Sequence, residues 1–422
     1  MTASWRALPI LALRNIRRQV RRSLLTGVAM ALGVALLAFS RALGDGAHED
    51  WIESGVRMGS GHIAIQSPGY HASKSLDDRL GPEALAHANQ VLQRSDVASS
   101  VVAVATRLEV QGLAQGPTAA LPIMITGVDP EVERGFSRLG EQVEDGRYLE
   151  EGDRLHAYVG ARLAERLELR IGSRLVLSAQ GADGEIVGQF VRVAGIFRSG
   201  LPEADEGIVQ IPLETAREWL GVGESATTLA VLLESGWIVG DMVKTVRDAI
   251  GPRDDLRALT WQEAMPELEA AIKVDDWGDY IFHIILFGII ALAIVNTVLM
   301  SVLHRTREFG VLRALGLTQT QTASVVLTEG VLLTAASGLV GLAIGVAITW
   351  IFFRNGLDYS AFMENDFTFS GVVLDTVIVP VFRWRQVAMS LGSIAFIGVF
   401  ASLYPAYRAT QIDIAEAMKF EA

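Results

Sequence analysis

The chain contains no cysteine and only four lysines. The absence of cysteine excludes disulfides, thiolate metal sites and cysteine nucleophiles. None of the lysines follows a glycine, so the chain cannot bind ATP through a P-loop. There is no G-x-S-x-G nucleophile elbow, and the seven histidines never stand at i, i+4 around a glutamate. These absences predict a chain that is not itself an enzyme and that has no catalytic residue, metal site or cofactor of its own.

Four apolar runs dominate what is present. They cover residues 24–39, 280–302, 331–353 and 387–403. Each is about long enough to cross a bilayer at ~1.5 Å per helical residue. More than two hundred residues of soluble character separate the first run from the second. The pattern predicts a membrane α-helical protein with four transmembrane helices in a 1+3 arrangement and a large α+β extracytoplasmic domain between helices 1 and 2.

Charge is distributed unevenly between these parts. Residues 44–279 carry 39 acidic and 21 basic residues, a net charge of −18, whereas the rest of the chain carries 9 and 15, a net of +6. No stripe of basic residues with interleaved aromatics occurs, which argues against a nucleic-acid partner. The acidic excess therefore belongs to the soluble segment, and the basic excess lies close to the apolar runs.

The basic residues also predict an orientation. The first 23 residues contain six arginines and no acid. By the positive-inside rule this end is cytoplasmic, the acidic domain is outside, and four spans return the C-terminus to the cytoplasm. A basic start followed by an apolar run can also be a cleaved signal peptide, with Ser40-Arg41-Ala42 as a loose cleavage site. The run is long for a signal core and Arg41 fits such a site poorly, which favours an uncleaved anchor.

The soluble segment has the patterns of an α+β domain. Alternating apolar and β-branched residues predict strands at 62–66, 101–110, 121–128, 174–179, 189–197 and 207–212. Helical spacing predicts helices at 82–94, 159–169, 212–220, 240–250 and 261–274. Strands and helices do not alternate regularly, which is the reason for predicting α+β. The stretch 129–239 is a possible lobe inserted into the first part.

These patterns together predict the following boundaries: a cytoplasmic amphipathic helix 1–23, spans at 24–43, 280–303, 324–353 and 387–404, an extracytoplasmic domain 44–279, a cytoplasmic loop 304–323, a short outer loop 354–386 and a cytoplasmic tail 405–422.

The connection between the second and third spans carries the strongest functional signal. Its sequence, RTREFGVLRALG (305–316), places arginines among apolar residues at helical offsets, and Gly310 and Gly316 allow close approach or a turn. It predicts a short amphipathic helix at the membrane face. A positively charged loop that only sets topology is the alternative.

This segment resembles the coupling helix of permease subunits of the ABC transporter superfamily that includes the lipoprotein-releasing, macrolide-exporter and cell-division types. In that family the helix docks into a separate ATPase, which binds ATP and Mg²⁺. The resemblance implies a coupling role for the following residues: Arg305, Arg307, Glu308, Phe309, Gly310, Leu312, Arg313, Ala314 and Gly316. Residues 12–37 and the tail 404–422 are similar to the family's first span and C-terminal segment.

Within the family, four stretches of the soluble segment look most like the lipoprotein-releasing branch: residues 58–70, 125–131, 160–175 and 190–205. That branch extracts lipid-anchored proteins from the outer leaflet of the bacterial inner membrane, and no ATPase domain is expected on this chain. Two alternatives stay open: a mechanotransmitting efflux permease with a periplasmic adaptor, and a regulator of a cell-wall hydrolase. The resemblance implies an ABC ATPase dimer and a second permease subunit, identical or related, as partners.

Small residues recur every fourth position in two spans, namely Gly27, Ala31 and Ala35 in the first and Ser337, Gly341 and Gly345 in the third. Such ridges let helix backbones approach closely, either inside one chain or between two subunits. Asn296 and Glu329 are polar residues at or near membrane depth, where polar groups normally face protein or water. We expect Glu329 to lie near the cytoplasmic face and His283 near the outer edge.

Overall fold

The computed structural model describes residues 20–117, 119–199, 202–358, 368–369, 372–373 and 377–412. Most of the predicted N-terminal helix and residues 413–422 of the predicted tail lie outside this range. The described residues form two compact units. One contains the described residues of 1–48, 274–359 and 377–422, and the other contains those of 49–273 and 360–376.

The helices of the described residues are, in chain order, α1 (Val20–Met58), α2 (Tyr70–Ser73), α3 (Pro82–Leu92), α4 (Ser95–Ala98), α5 (Pro130–Phe136), α6 (Ala161–Arg166), α7 (Pro202–Gly207), α8 (Leu213–Leu220), α9 (Val239–Ile250), α10 (Trp261–Ala264), α11 (Pro266–His304), α12 (Thr306–Ala314), α13 (Gln319–Phe353) and α14 (Trp384–Thr410). Short 3-10 helices occur at Leu76–Asp78, Arg138–Glu141 and Gly236–Ile238.

The strands are β1 (Ile63–Gln66), β2 (Val101–Gln115), β3 (Ala120–Val128), β4 (Val143–Gly146), β5 (His156–Gly160), β6 (Arg174–Gln180), β7 (Ile186–Phe197), β8 (Ile208–Pro212), β9 (Thr228–Leu233), β10 (Arg257–Thr260) and the two-residue strands β11 (Leu357–Asp358), β12 (Thr368–Phe369), β13 (Val372–Val373) and β14 (Val377–Ile378).

Four helices are long and apolar enough to cross a membrane: α1, α11, α13 and α14. Helices α1 and α11 are 39 residues each, much longer than the apolar runs that predict them. At ~1.5 Å per residue each is nearly 60 Å long, about twice the thickness of the hydrocarbon core. Both helices therefore continue well beyond the membrane-spanning length, and both contribute residues to the two units.

The core of the membrane unit is a single apolar cluster. It contains Met30 and Val34 of α1, Ile290 and Ile294 of α11, and Leu333 of α13, with further residues of α14. Each helix contributes one stripe at helical spacing, and the opposite stripes carry exposed Leu, Ile, Val and Phe side chains. That division is typical of a helix bundle surrounded by lipid or by other membrane helices.

The soluble unit is built on a ten-stranded sheet in the order β10-β1-β9-β2-β3-β8-β5-β7-β4. Strand β6 pairs with both β2 and β7, so β2, β3, β8, β5, β7 and β6 form a closed ring around an apolar core. Strand β2 has fifteen residues because it serves both parts: its first half pairs with β9 and its second half pairs with β3 and β6. The observed domain is α+β, as the sequence predicts.

The sequence patterns do not predict β4 or β10, and they misjudge three further places in this domain. Residues 159–169 form the end of β5 and then the short helix α6, not one helix, because Val159 pairs with Val209. The predicted helix 261–274 is interrupted at Met265, before Pro266 begins α11. Strand β9 is not predicted because its six residues are all buried, and a continuous apolar run has no alternation to signal a strand.

Strand β9 also bears on the predicted lobe 129–239. It pairs with β1 and β2, so it belongs with the first part of the sheet. The strands that the chain inserts between β3 and β9 are β4 to β8. We therefore propose that the inserted lobe consists of β4 to β8 and ends before β9.

The two chain segments that join the domain to α1 and α11 lie side by side within the soluble unit. Strand β1 follows α1, strand β10 precedes α10 and α11, and the two strands pair with Ile63 opposite Thr260. A Cβ on Gly59, just after α1, would lie 2.9 Å from the sulfur of Met265, just before α11. The ends of both long helices are thus fixed on adjacent strands.

Candidate functional site

Helix α12 is a separate nine-residue helix with well-defined ends. Its C-terminal end is closed by Gly316, whose φ of +103° is unfavourable for residues with a side chain, and by a hydrogen bond from Leu317 N to Leu312 O of 3.0 Å. Helix α13 then begins at a capping box formed by Thr318 and Gln321. The sequence therefore fixes a compact turn between α12 and α13.

One face of α12 is packed inward. Phe309 is 1% exposed and belongs to the apolar core of the membrane unit, and Gly310 beside it is also buried. The guanidinium carbon of Arg305 lies 5.0 Å from the centre of the Phe309 ring. These residues hold α12 against the ends of the membrane helices.

Arg305 connects α12 to α13. It donates hydrogen bonds to Glu308 at 2.9 Å and to Glu329 at 3.0 Å, and Ser301 donates to the other oxygen of Glu329 at 3.0 Å. Both Arg305 and Glu329 are largely buried. A half-buried ion pair of this kind is less screened by salt than an exposed one. Glu329 is therefore held by protein groups and not by lipid, in agreement with the general expectation for such residues.

Arg313 connects α12 to α14. Its guanidinium donates to the carbonyl oxygens of Thr410 at 3.2 Å and Ile412 at 2.5 Å. These carbonyls lie at the C-terminal end of α14, where the last carbonyls of a helix have no partner inside the helix and a cation is favourable. Helix α12 is thus tied to both α13 and α14.

The opposite face of α12 is exposed. Arg307, Glu308, Val311 and Leu315 form most of it, and Leu315 is 79% exposed. Spacings of four residues place Arg307, Val311 and Leu315 in one line along the helix. A short apolar strip with a flanking charge pair is available there for a partner.

The predicted coupling residues therefore divide into two sets. The structure places Arg305, Phe309 and Gly310 on the inner face and leaves Leu312 and Arg313 half-buried. Exposed members of the prediction are Arg307, Glu308, Ala314 and Gly316. The prediction omits Val311 and Leu315, which form the exposed strip, although they follow Arg307 by four and eight residues, a spacing that could have indicated them.

The predicted small-residue ridges face each other within the chain. A Cβ on Gly341 would clash with Ala31 O of α1, and one on Gly345 would lie 2.8 Å from Ala35 O. A Cβ on Gly27 would lie 3.3 Å from Ser337 Oγ. The structure thus brings all six residues together as a close seam between α1 and α13.

Helix α1 is also tied to α11 by polar contacts at three levels of the membrane unit. The hydroxyls of Thr26 and Thr297 are 2.7 Å apart, and His48 Nε2 lies 2.8 Å from Asp275 Oδ2. His283 is buried and lies 3.4 Å from Ser40 Oγ. These contacts and the α1–α13 seam make the bundle a connected set of helices.

Within the soluble unit, a buried ion pair fixes the chain at the end of α1. Arg107 donates to Glu133 at 2.6 and 3.1 Å and also to the carbonyl of Gly59, and both side chains are almost fully buried. Burial acts to lower the pKa of Arg107, but the charge and hydrogen bonds of Glu133 outweigh it and raise the pKa above its ordinary value. The sequence does not predict this pair, because its partners are distant in sequence.

No group of three or more His, Asp or Glu residues in the described part of the chain is arranged to hold a metal ion. The features that stand out are structural: an exposed strip on α12, ties from α12 to two membrane helices, and long helices that reach a soluble domain. This arrangement defines a multi-pass membrane protein with a separate short helix between its second and third membrane helices.

Comparison with known proteins agrees with this class. Residues 23–249 match the family described as a MacB-like periplasmic core domain, and residues 280–414 match the family described as FtsX-like permease C-terminal. The chain therefore belongs to the family of ABC transporter permeases that these two models describe.

Two curated relatives illustrate the range of the family. The lipoprotein-releasing system transmembrane protein LolC of Xylella fastidiosa is 23% identical over 446 residues, covering 97% of this chain and 98% of that protein. The macrolide export ATP-binding/permease protein MacB of Shewanella oneidensis is 23% identical over 418 residues, covering 95% of this chain and 58% of that protein.

Two solved structures are similar over the soluble segment. The periplasmic region of MacB from Actinobacillus actinomycetemcomitans has a TM-score of 0.35 at 13% identity, covering 50% of this chain and 94% of that one. The extracellular domain of the transporter YknZ has a TM-score of 0.33 at 17% identity, covering 47% and 99%.

Proposed function

We propose that this permease couples ATP hydrolysis by a separate ABC ATPase to movement of its soluble domain, and that it thereby releases lipid-anchored proteins from the bacterial inner membrane. The observation that carries the coupling part is the division of α12 into an inner face tied to α13 and α14 and an exposed apolar strip. A helix that only set topology would not need both the contacts to α13 and α14 and the exposed apolar strip. ATP and Mg²⁺ are bound by the partner, and this chain supplies no catalytic group.

The contacts suggest how movement travels. A partner that displaces α12 also displaces α13 through Arg305–Glu329 and α14 through Arg313. Helix α13 moves α1 through the seam at Gly341 and Gly345, because backbones in direct contact cannot slide without clashing. Helix α1 then acts on the domain, where Arg107 holds the carbonyl just beyond its end.

In this proposal α12 and both chain termini are cytoplasmic and the acidic domain is periplasmic. The excess of arginine near the N-terminus and in the 304–323 loop supports that orientation. A periplasmic domain is in the position needed to act on a lipoprotein in the outer leaflet, whose protein part projects from the membrane.

Lipoprotein release is favoured over efflux by the relatives. The match to LolC extends along almost the whole of both chains, whereas the match to MacB covers 58% of that protein. The soluble segment nevertheless matches a MacB-like core domain, which supports efflux with a periplasmic adaptor as the second candidate. Depletion of this permease separates the two: lipoproteins retained in the inner membrane support release, and unchanged lipoprotein sorting with increased drug sensitivity supports efflux.

Docking is tested by substitutions on the exposed strip of α12. Leu315→Asp and Arg307→Glu place unfavourable charge on that strip without touching the inner face, and we expect at least tenfold weaker co-purification with the ATPase. Thr320→Asp is the matched control, since Thr320 is exposed at the start of α13 outside the strip. Normal ATPase binding and stimulation by both strip variants would show that α12 is not the docking helix.

A further inference from the structure

An exposed polar residue interrupts the outward face of α11. Asn296 lies about 8 Å from the midpoint of the apolar run 280–302, which is well inside a hydrocarbon core of roughly 30 Å. It is exposed on the surface of the bundle, and its amide makes no hydrogen bond to any part of the chain that the structure describes. The sequence leads us to expect that such a residue faces protein or water. The described residues of this chain provide neither.

Other polar residues at this depth behave differently. Ser393 of α14 is partly exposed, and its hydroxyl donates to Met389 O of its own helix at 3.0 Å. Thr334 and Thr349 of α13 donate to the carbonyls four residues earlier, at 2.8 and 2.7 Å. An asparagine amide has two donors and a carbonyl acceptor. In lipid these groups would stay unpaired, which is costly where no water is present.

Asn296 belongs to a continuous stripe on α11. The other outward residues of the stripe are Ile281, Ile285, Ile289, Leu292 and Leu303, and each is more than half exposed. Steps of three and four residues separate the stripe members from Ile281 to Asn296. The inward stripe, which includes Ile290, Ile294 and Val298, is buried in the bundle. Branched apolar residues at this spacing with a single asparagine are the pattern of a helix pair in which the polar residue fixes the register.

We infer that this stripe of α11 is the contact surface for α11 of a second copy of the chain, with the two Asn296 amides hydrogen-bonded to each other near the two-fold axis. Both copies cross the membrane in the same direction, so the axis is normal to the membrane and equivalent residues meet. The surface is self-complementary: each amide offers the donor and the acceptor that the other lacks, and equivalent branched side chains face one another. A lipid tail has no group that could satisfy the amide.

The inference names the surface used by the second permease subunit, and it rests on the proposed function only in requiring that α11 crosses the membrane. Because the chain has no cysteine, every introduced cysteine is its only thiol. Single cysteines at 289, 292 and 296, and at the buried position 294, are oxidised in membranes that contain the full chain and its ATPase. Val340→Cys of α13 and Phe396→Cys of α14 are the controls, since both native residues are more than half exposed and lie near the middle of their spans.

We expect disulfide-linked dimers at 292 and 296 at least tenfold above the two controls, and none at the buried position 294. Equal crosslinking at Phe396 or Val340, or none along the α11 stripe, would overturn the inference and leave the stripe facing lipid or an unrelated partner.

The amide itself is tested by Asn296→Leu and Asn296→Gln. An interhelical hydrogen bond in a membrane raises the association constant roughly 3- to 20-fold. We therefore expect the leucine variant to dissociate, on dilution in detergent, at protein concentrations higher by that factor. The glutamine variant keeps the amide and stays near wild type, as does the control Ser393→Leu.

A leucine variant that dimerises like wild type refutes the amide pair. Normal ATPase docking in the α12 strip variants, with crosslinking along α11 intact, refutes the proposed function instead.

Discussion

At the scale of single residues, the stability of the soluble domain depends on a few buried polar groups. Arg107 and Glu133 neutralise each other in a site from which water is excluded, and Arg107 also lies over the Phe136 ring at 4.9 Å. Because Arg107 holds the carbonyl of Gly59, the pair acts on stability and on the position of the chain leaving α1.

Replacing Arg107 by methionine should destabilise the domain by about 3–5 kcal/mol, because it leaves the carboxylate of Glu133 buried without a partner. Chemical denaturation of the purified full chain measures the change. The control is Arg94→Met, which removes a solvent-exposed pair with Asp96 and should leave the stability of the domain nearly unchanged. If Arg107→Met destabilised the domain as little as Arg94→Met does, this would contradict the role assigned to the Arg107–Glu133 pair.

A second residue makes domain stability depend on pH. The His62 ring is buried, its Nδ1 accepts a hydrogen bond from Leu233 N at 3.2 Å, and burial lowers its pKa below the ordinary value of 6.5. The nearby Glu53 opposes the shift and Arg57 adds to it. Below pH 6.5 the unfolded chain binds the proton before the folded chain does, so stability falls as the pH drops from 6.5 towards the lowered pKa.

We therefore expect the melting temperature of the wild type to fall between pH 7.5 and pH 5.5 by more than that of His62→Asn. The asparagine oxygen can accept from Leu233 N and does not titrate. His87→Asn is the control, because it removes a half-buried histidine elsewhere in the same domain and should leave the wild-type pH response in place. An identical pH response in the His62 variant would exclude this histidine as its source.

At the scale of elements, the residues of the α12 motif must be assigned to two different faces of one helix. The string RTREFGVLRALG contains residues that hold the helix to the bundle and residues that are free to meet a partner, in alternation set by 3.6 residues per turn. Substitution of Phe309 or Arg313 would disturb the bundle, whereas substitution of Val311 or Leu315 would change only the exposed strip. The effect of a substitution in α12 can therefore be interpreted only when the face that carries the residue is known.

The seam between α1 and α13 is the second element-scale feature. Gly341→Leu places a side chain against the α1 backbone at Ala31, and we expect destabilisation of about 1–3 kcal/mol or more from overpacking. Thermal melting in detergent, followed by size-exclusion chromatography, measures the loss. Gly392→Leu is the matched control, since nothing lies within 4 Å of its Cβ position. If both variants melt alike, the seam does not hold the two helices together.

At the scale of the whole molecule, function depends on which side of the membrane each part occupies. The proposed coupling requires α12 and the soluble domain on opposite sides. The chain suits a labelling experiment, because it has no cysteine and offers exposed positions in both parts.

Single cysteines at Ile186, which is 82% exposed in the soluble unit, and at Thr320, exposed at the start of α13, provide the two reporters. A membrane-impermeant maleimide added to intact spheroplasts should label the first, and should label the second only after permeabilisation. Ile290→Cys, buried in the bundle, should remain unlabelled in both conditions. Labelling of both reporters from the same side would end the proposed mechanism.

The sequence by itself determined the features that depend on composition and local periodicity. Apolar runs of membrane-spanning length, the α+β character of the acidic segment and the family resemblance of residues 305–316 all follow from neighbouring residues. Six of the ten strands in the large sheet were predicted close to their observed bounds, namely β1, β2, β3, β6, β7 and β8. Fully buried β9 and the strand-to-helix change at Gly160 were not predicted, since burial on both sides removes the alternation.

Only the tertiary structure decided how these elements meet. It showed that the glycines of α13 face the small residues of α1, that Glu329 pairs with Arg305, and that Arg107 and Glu133 join distant segments. It also showed that Asn296 makes no hydrogen bond to the residues that the structure describes. Contacts between residues far apart in sequence depend on helix rotation and strand order, which local periodicity leaves open, and they determine which polar residues are satisfied and which must find a partner elsewhere.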